Sequence, residues 1–410
     1  MTLRGVLGAV LVLAGAFLNV PIAIALGVVT VGFEVVRQLS VRGGVSPIGY
    51  RRHLSSPHVP WGEEATLTIE IWNRSRLPMS WVRSDDEITE DAVVRERQLQ
   101  PGELGDMTLR NTWTLGPREL VRRRLHVGAS RRGVFEIGPT EIVTGDLFAL
   151  PAARDTFEHV DRYTVWPRTV PAPAVARRER WGGVDRARHG LSEDPARFVG
   201  IRDYQPGDPV RRLHVRASAR LGRPMSKRFE PSRDRDVLLV VDLEPPAGDE
   251  ARRHRPSDGP AEDLIVVAAS LVRSLGQAHA AFGLAAAGYA GPQRRIAWLP
   301  VSSAPGQLER GLDLLARLGS GPSTSFERLI GFVGRVAREG TTVLVLTGRD
   351  ATPLLRPLRG LRRQGLVVGV LAAGTEGPAS VRAARAAGVR AELVDLDGPW
   401  RTATRVVVAG

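Results

Sequence analysis

Two carboxylates, Asp242 and Glu244, follow the uninterrupted apolar run Leu238–Val241. Such a run reads as a strand buried on both faces, so the pair is expected to emerge at the strand's carboxyl end, where ligands gather on a doubly wound sheet. Two carboxylates there, helped by hydroxyls or water, can hold Mg²⁺. Asp242 can equally cap the following loop by accepting its backbone N–H groups. Other catalytic signatures are absent. There is no G-x-S-x-G elbow, no HExxH and no G-x-G-x-x-G turn after a strand. The single lysine, Lys227, follows Pro224-Met225-Ser226 rather than a glycine-rich turn, which excludes a P-loop. With no cysteine, the chain forms no disulfide, thiolate metal site or cysteine nucleophile. The histidines never pair at metal-ligand spacing on one helix, and Asp395-Leu396-Asp397-Gly398 has only part of a calcium loop's ligands, so it reads as a turn.

The 57 Lys and Arg outnumber the 44 Asp and Glu, for a net charge of +13. That balance ordinarily raises nucleic acid or an anionic surface as partner. Here the arginines are scattered in short groups such as Arg122–Arg124 and Arg362–Arg363, without the interleaved aromatics of a nucleic-acid face. They are read as solvated surface, and no nucleic-acid partner is expected.

The elements that would position Asp242 and Glu244 follow from patterning. At 410 residues, two or three domains are expected. Gly5 to Phe33 is a stretch of 29 residues without charge, longer than the roughly 20 residues that one upright membrane helix needs. Asn19-Val20-Pro21 interrupts it, because proline lacks a backbone donor and disfavours helix just before it. Residues 1–38 are therefore expected to form a transmembrane helical hairpin, contacting the membrane through residues 3–36. A single tilted, kinked span and a signal peptide cleaved near Ala23-Ile24-Ala25 are the competing accounts. Arg4 before the run and Arg37, Arg42, Arg51 and Arg52 after it favour a plasma-membrane protein with its soluble domains in the cytoplasm.

Residues 45–155 read as a small all-β sandwich. Ala65, Leu67, Ile69 and Ile71 alternate with polar residues at the period of a half-buried strand. Further short runs at 107–115, 121–127, 134–137 and 141–143 are separated by Pro101-Gly102, Gly116-Pro117 and Gly138-Pro139 turns. Residues 156–235 read as a linking segment. From residue 236 onward, apolar strand runs at 237–241, 282–287, 296–301, 341–346, 366–371 and 392–394 alternate with helix-periodic segments. This pattern predicts an α/β doubly wound domain over 236–410.

The stretch Arg197–Arg220, RFVGIRDYQPGDPVRRLHVRASAR, resembles the signature of the bacterial domain-of-unknown-function 58 family. The likeness is carried by Phe198, Gly200, Arg202, Tyr204, Pro206, Gly207, Asp208, Arg211, His214, Ala219 and Arg220, with Val215 and Arg216 in place of the family's tryptophan and lysine. Upstream, Arg131-Arg132-Gly133-Val134-Phe135 with Gly138-Pro139, and Val165-Trp166-Pro167-Arg168, resemble further family segments. Read without the family, Pro206-Gly207-Asp208 is a turn, and the arginines can form forked bonds to Asp203, Asp208 or backbone carbonyls. A structural clasp and a partner-docking surface are both consistent with these residues. A catalytic pairing of His214 with Asp208 has no nucleophile to serve.

The resemblance implies a von Willebrand factor A-like domain for the α/β part. Such domains often hold a cation on D-x-S-x-S with a distant threonine. Here Asp242-Leu243-Glu244-Pro245-Pro246 lacks both serines, Thr324 is the candidate threonine, and Arg349 follows Thr347-Gly348 close to the cation's approach. The site therefore reads as degenerate, with no cofactor expected. The resemblance further implies a MoxR-type AAA+ ATPase as partner. The function expected is a membrane-anchored, non-catalytic protein-interaction scaffold. The alternatives are a hydrolytic or metal-dependent enzyme using Asp242, Glu244 and the Asp208/His214 region, or an envelope structural protein.

Overall fold

The computed structural model describes residues 3–41, 47–102, 107–145, 151–173, 193–205, 213–231, 236–244, 260–287, 296–319 and 325–409. The chain divides into two units, Met1–Trp166 and Pro167–Gly410.

The first unit begins with helices α1 (Leu3–Phe17) and α2 (Pro21–Val41). Asn19 adopts a left-handed φ of 52° and Pro21 starts the new helix, so the long apolar run is split. The two helices pack closely through small residues. A Cβ on Gly27 would collide with Val12, and one on Gly15 with Ala23 and Ile24. The expectation of transmembrane helices is overturned: among the described residues no helix is long and apolar enough to cross a membrane. α1 has 15 residues, roughly 22 Å at 1.5 Å each, against a hydrocarbon core of about 30 Å. α2 reaches 21 residues only by including Glu34 and Arg37, charges that a bilayer penalises. The transmembrane hairpin and the plasma-membrane location, which rested on such a span, are corrected accordingly. Leu13, Phe17, Ile22 and Val29 are exposed on this helical pair.

Among the described residues eleven strands follow: β1 (Ile48–Leu54), β2 (His58–Val59), β3 (Ala65–Asn73), β4 (Met79–Ile88), β5 (Ala92–Val94), β6 (Gln100–Pro101), β7 (Met107–Leu115), β8 (Leu120–Ala129), β9 (Gly133–Gly145), β10 (Pro151–Phe157) and β11 (Asp161–Val165). They form a four-stranded sheet, β1-β3-β8-β5, and a seven-stranded sheet, β2-β11-β9-β4-β7-β6 with β10 on β9. Their alternation works as pleating requires. Leu67, Ile69 and Ile71 from the first sheet share one core with Val82, Leu109, Trp113, Phe135 and Ile137 from the second.

In the second unit, β12 (Glu193–Asp203) and β13 (Met225–Pro231) pair antiparallel, with α3 (Val215–Leu221) between them in sequence. The main sheet runs β16 (Ile296–Ser302), β15 (Phe282–Ala287), β14 (Val237–Asp242), β17 (Thr342–Thr347), β18 (Val367–Ala372), β19 (Arg390–Leu396), β20 (Val406–Ala409). The five inner strands are parallel and the two edges antiparallel. One face packs on α6 (Phe326–Val336), α7 (Leu355–Arg363) and α8 (Gly377–Ala386) through Leu238, Val240, Val343 and Val345. α4 (Pro260–Gln277) packs against β14, β15 and β17, and α5 (Gln307–Arg317) against α4, β15 and β16. The segment after Pro167 is tied to this unit: Val170 N–H donates to Ser270 Oγ on α4, and Val406 N–H donates to the Pro171 carbonyl.

Candidate functional site

The chain leaves β14 toward β15 on one side and leaves β17 toward β18 on the other. A crevice therefore opens at the carboxyl ends of β14 and β17, the switch point of a doubly wound sheet. Asp242 ends β14, Thr347 ends β17, and the two are register partners. The Asp242 side chain is fully buried. Its Oδ2 accepts from Thr347 Oγ1 at 3.0 Å and from Arg349 Nε at 2.8 Å, and its Oδ1 accepts from Glu244 N–H at 3.3 Å. Arg349 Nη2 reaches Glu244 Oε2 at 2.6 Å. One guanidinium thus lies between the two carboxylates, with the Phe326 ring 5.9 Å from its carbon. The Arg349 side chain is 18% exposed and that of Glu244 37%, so the cluster opens to solvent on the Glu244 side.

Burial pulls the pKa of Arg349 down, but Asp242, then Glu244 and Glu327, outweigh that effect and the net displacement is upward. The guanidinium stays charged. These residues do not fit a divalent ion. The Asp242 oxygen that would face it already binds a fixed positive charge, and a second cation there would be repelled. Among the described residues no group of three or more His, Asp or Glu is placed to hold a metal. Thr324, the candidate threonine, lies outside the described residues, and the hydroxyl that does reach Asp242 belongs to Thr347.

The signature residues lie elsewhere in this unit. Gly200 and Arg202 sit on β12, opposite Arg228 and Ser226 of β13. Arg202 donates to the Asp203 carbonyl and Tyr204 N–H to the Pro224 carbonyl. The Asp203 carboxylate is met by Arg223, 3.3 Å away, a residue that sequence reasoning passed over. His214 caps α3: its Nδ1 accepts from Ala217 N–H at 3.1 Å, and its carbonyl accepts from Ser218. That bond requires an unprotonated Nδ1, which gives the ring a structural task. Arg220 is exposed in the last turn of α3. Pro206, Gly207, Asp208 and Arg211 lie outside the described residues, so the turn they were read to form is not placed.

Sequence reasoning also missed a second arginine–aspartate cluster. In the first unit, Arg52 Nη1 donates to Asp86 Oδ1 at 2.8 Å and to Thr140 Oγ1 at 2.9 Å, Nη2 to the His159 carbonyl at 2.5 Å, and Nε to Asp161 Oδ2 at 3.1 Å. Tyr50 Oη donates to the same Asp86 oxygen at 2.5 Å. Burial, reinforced by the Asp86 charge, holds the Tyr50 hydroxyl well above its usual pKa. The signal was present in the alternation of β1, where Arg52 occupies an inward position in phase with Ile48 and Leu54.

Comparison with known proteins places the crevice inside a matched region. Residues 200–375 match the family described as "Protein of unknown function DUF58". The match takes in Asp242, Glu244 and Arg349. The chain is also similar to "Uncharacterized protein YeaD" of Bacillus subtilis (strain 168), with 29% identity over 245 residues, 58% of this chain and 55% of the relative. The chain thus spans about half the length of that relative. Among solved structures, the CARDB domain of the PF1109 protein from Pyrococcus furiosus is 12% identical with a TM-score of 0.20, covering 29% of this chain and 84% of its own. Trypsin-activated alpha-2-macroglobulin from Escherichia coli is 16% identical with a TM-score of 0.20, covering 29% and 7% respectively. Likeness at that level carries no argument.

Proposed function

We propose that this chain is a non-catalytic protein-interaction module, and that its second unit is a von Willebrand factor A-like domain whose cation position is filled by Arg349. The observation that carries this reading is the guanidinium held at 2.8 Å by Asp242 and at 2.6 Å by Glu244. In it the crevice has a positive group of its own. The Nη1 of Arg349 has no hydrogen-bond partner among the described residues, which leaves donors for an acidic side chain of a partner. An arginine fork suits such a carboxylate. The family resemblance supplies the partner class, a MoxR-type AAA+ ATPase.

The test is saturable binding of the purified full chain to a purified MoxR-type ATPase, measured by biolayer interferometry. Arg349→Ala is expected to weaken binding about tenfold or more, in line with the loss of one charged hydrogen bond, while circular dichroism stays unchanged. Absence of binding would overturn the reading. So would micromolar Mg²⁺ binding, or turnover of a substrate, that disappears in Asp242→Ala.

A further inference from the structure

The first unit carries a cavity that the proposed function does not use. It has a volume of about 640 Å³ and lies between β1 and β3 of one sheet and β10 of the other, lined by Arg51, Arg74, Arg154, Trp72, Phe157 and Asp155 among others. That volume is within the range of small-molecule sites, roughly 300–1,000 Å³.

Its floor is built by a single glycine. Gly49 faces Trp72 in the β1–β3 register, and a Cβ at Gly49 would fall 1.9 Å from the indole. Only glycine lets the ring lie flat across the strand. The Arg74 guanidinium carbon sits 5.7 Å from the centre of that ring.

The charge around the floor is unbalanced for a specific reason. Glu70 stands directly opposite Arg51 in the β1–β3 register, yet its carboxylate is taken from the other side by Arg122 Nε at 2.6 Å. Neither Arg51 nor Arg74 has a carboxylate partner among the described residues. Arg154 pairs with Glu141 at 2.9 Å. The acid of the lining, Asp155, accepts its neighbour's N–H, from Thr156 at 2.9 Å. Arg51 and Arg74, two guanidiniums against the one Asp155 carboxylate of the lining, stand beside an indole and the Phe157 ring and match an oxyanion joined to a flat apolar body, because the arginine fork binds phosphate and aromatic faces stack on planar groups.

The geometry points to a binding site for an organic phosphate, its oxyanion on Arg51 and Arg74 and its planar body against Trp72. Phenyl phosphate is the probe, titrated calorimetrically into the full chain beside inorganic phosphate and a glutamate-rich peptide. Phenyl phosphate is expected to saturate one site and to bind more tightly than inorganic phosphate. Arg51→Gln and Arg74→Gln should each weaken it about tenfold, the loss of a charged hydrogen bond. Arg124→Gln, an exposed arginine on the same sheet outside the cavity, should leave it unchanged. Trp72→Leu should reduce the advantage of phenyl phosphate over inorganic phosphate, which a purely electrostatic site would not show. Circular dichroism checks the fold of each variant. Failure of phenyl phosphate to saturate would overturn the proposal, as would equal weakening by Arg124→Gln. Arg51-dependent binding of the acidic peptide without binding of phenyl phosphate would assign the surface to a polypeptide and also overturn it.

Discussion

Each unit holds an arginine against a buried aspartate, and the two pairs differ in what surrounds them. Arg52 and Asp86 are sealed between two sheets, with side chains 2% and 0% exposed. Arg52 spends its donors on Asp86, Thr140, His159 and Asp161, so it bridges β1 to β4 and β9 and to the chain around β11. Arg349 and Asp242 share the buried carboxylate, but their cluster opens through Glu244. The sealed pair is closed to solvent, and the Asp86 Oδ2 that it leaves without a hydrogen-bond partner is buried, whereas the open pair keeps part of a guanidinium toward solvent. The difference arises from topology: a sandwich interior closes on itself, while a doubly wound sheet leaves a crevice where its connections diverge.

The largest effect expected is at the sealed pair. Arg52→Leu strands the Asp86 charge in the core, and breaking a buried pair in this way costs about 3–5 kcal/mol. Chemical denaturation of the full chain would show it as a fall in the first unit's midpoint. The double change Arg52→Leu with Asp86→Leu should recover much of the loss, because removing both partners leaves no orphaned charge.

Arg349→Ala should cost less, about 1–3 kcal/mol, because water can enter from the Glu244 side to solvate Asp242. The same variant is expected to bind Mg²⁺ more tightly than the unaltered chain, since it frees both carboxylates of their internal cation. A magnesium titration of the two proteins checks this. Loss of stability at Arg349 equal to that at Arg52 would erase the distinction between the pairs.

The smallest effect concerns acid. Hydrogen bonds from the His126 ring and its backbone N–H hold Glu96 at about 2, below the ordinary value for a glutamate. Its contribution is complete above that ordinary value and is lost as pH falls toward 2. Asp86 is displaced the other way, because burial outweighs the pull of Arg52. Its contribution is therefore present at low pH and lost as pH rises through the raised value. Between pH 4.5 and 2 the first unit should weaken through Glu96 and not through Asp86. Denaturation midpoints across that range should fall less steeply in Glu96→Gln.

Local patterning was legible wherever one face of an element is buried. The alternation of Ala65, Leu67, Ile69 and Ile71 lies within β3, and the apolar run 237–241 falls within β14. Patterning was less informative where pairing partners are far apart. The edge strand β20 was not anticipated, since four residues of Val406–Ala409 make no period by themselves. The N-terminal run showed the opposite failure. The break at Asn19-Val20-Pro21 was legible and does separate two helices, but the membrane crossing suggested by the apolar composition is overturned, since neither helix is long and apolar enough.

The sequence by itself determined that Asp242 and Glu244 stand at the end of a buried strand and that Arg349 follows another, because strand burial is written in a few adjacent residues. Only the tertiary structure decided that Arg349 binds Asp242 across 107 positions of chain, that Arg52 turns inward to Asp86, and that Arg122 takes Glu70 away from Arg51. Each of those outcomes depends on which strands become neighbours and in what register. Such choices are made by the cooperative packing of whole sheets, which no local stretch of residues encodes.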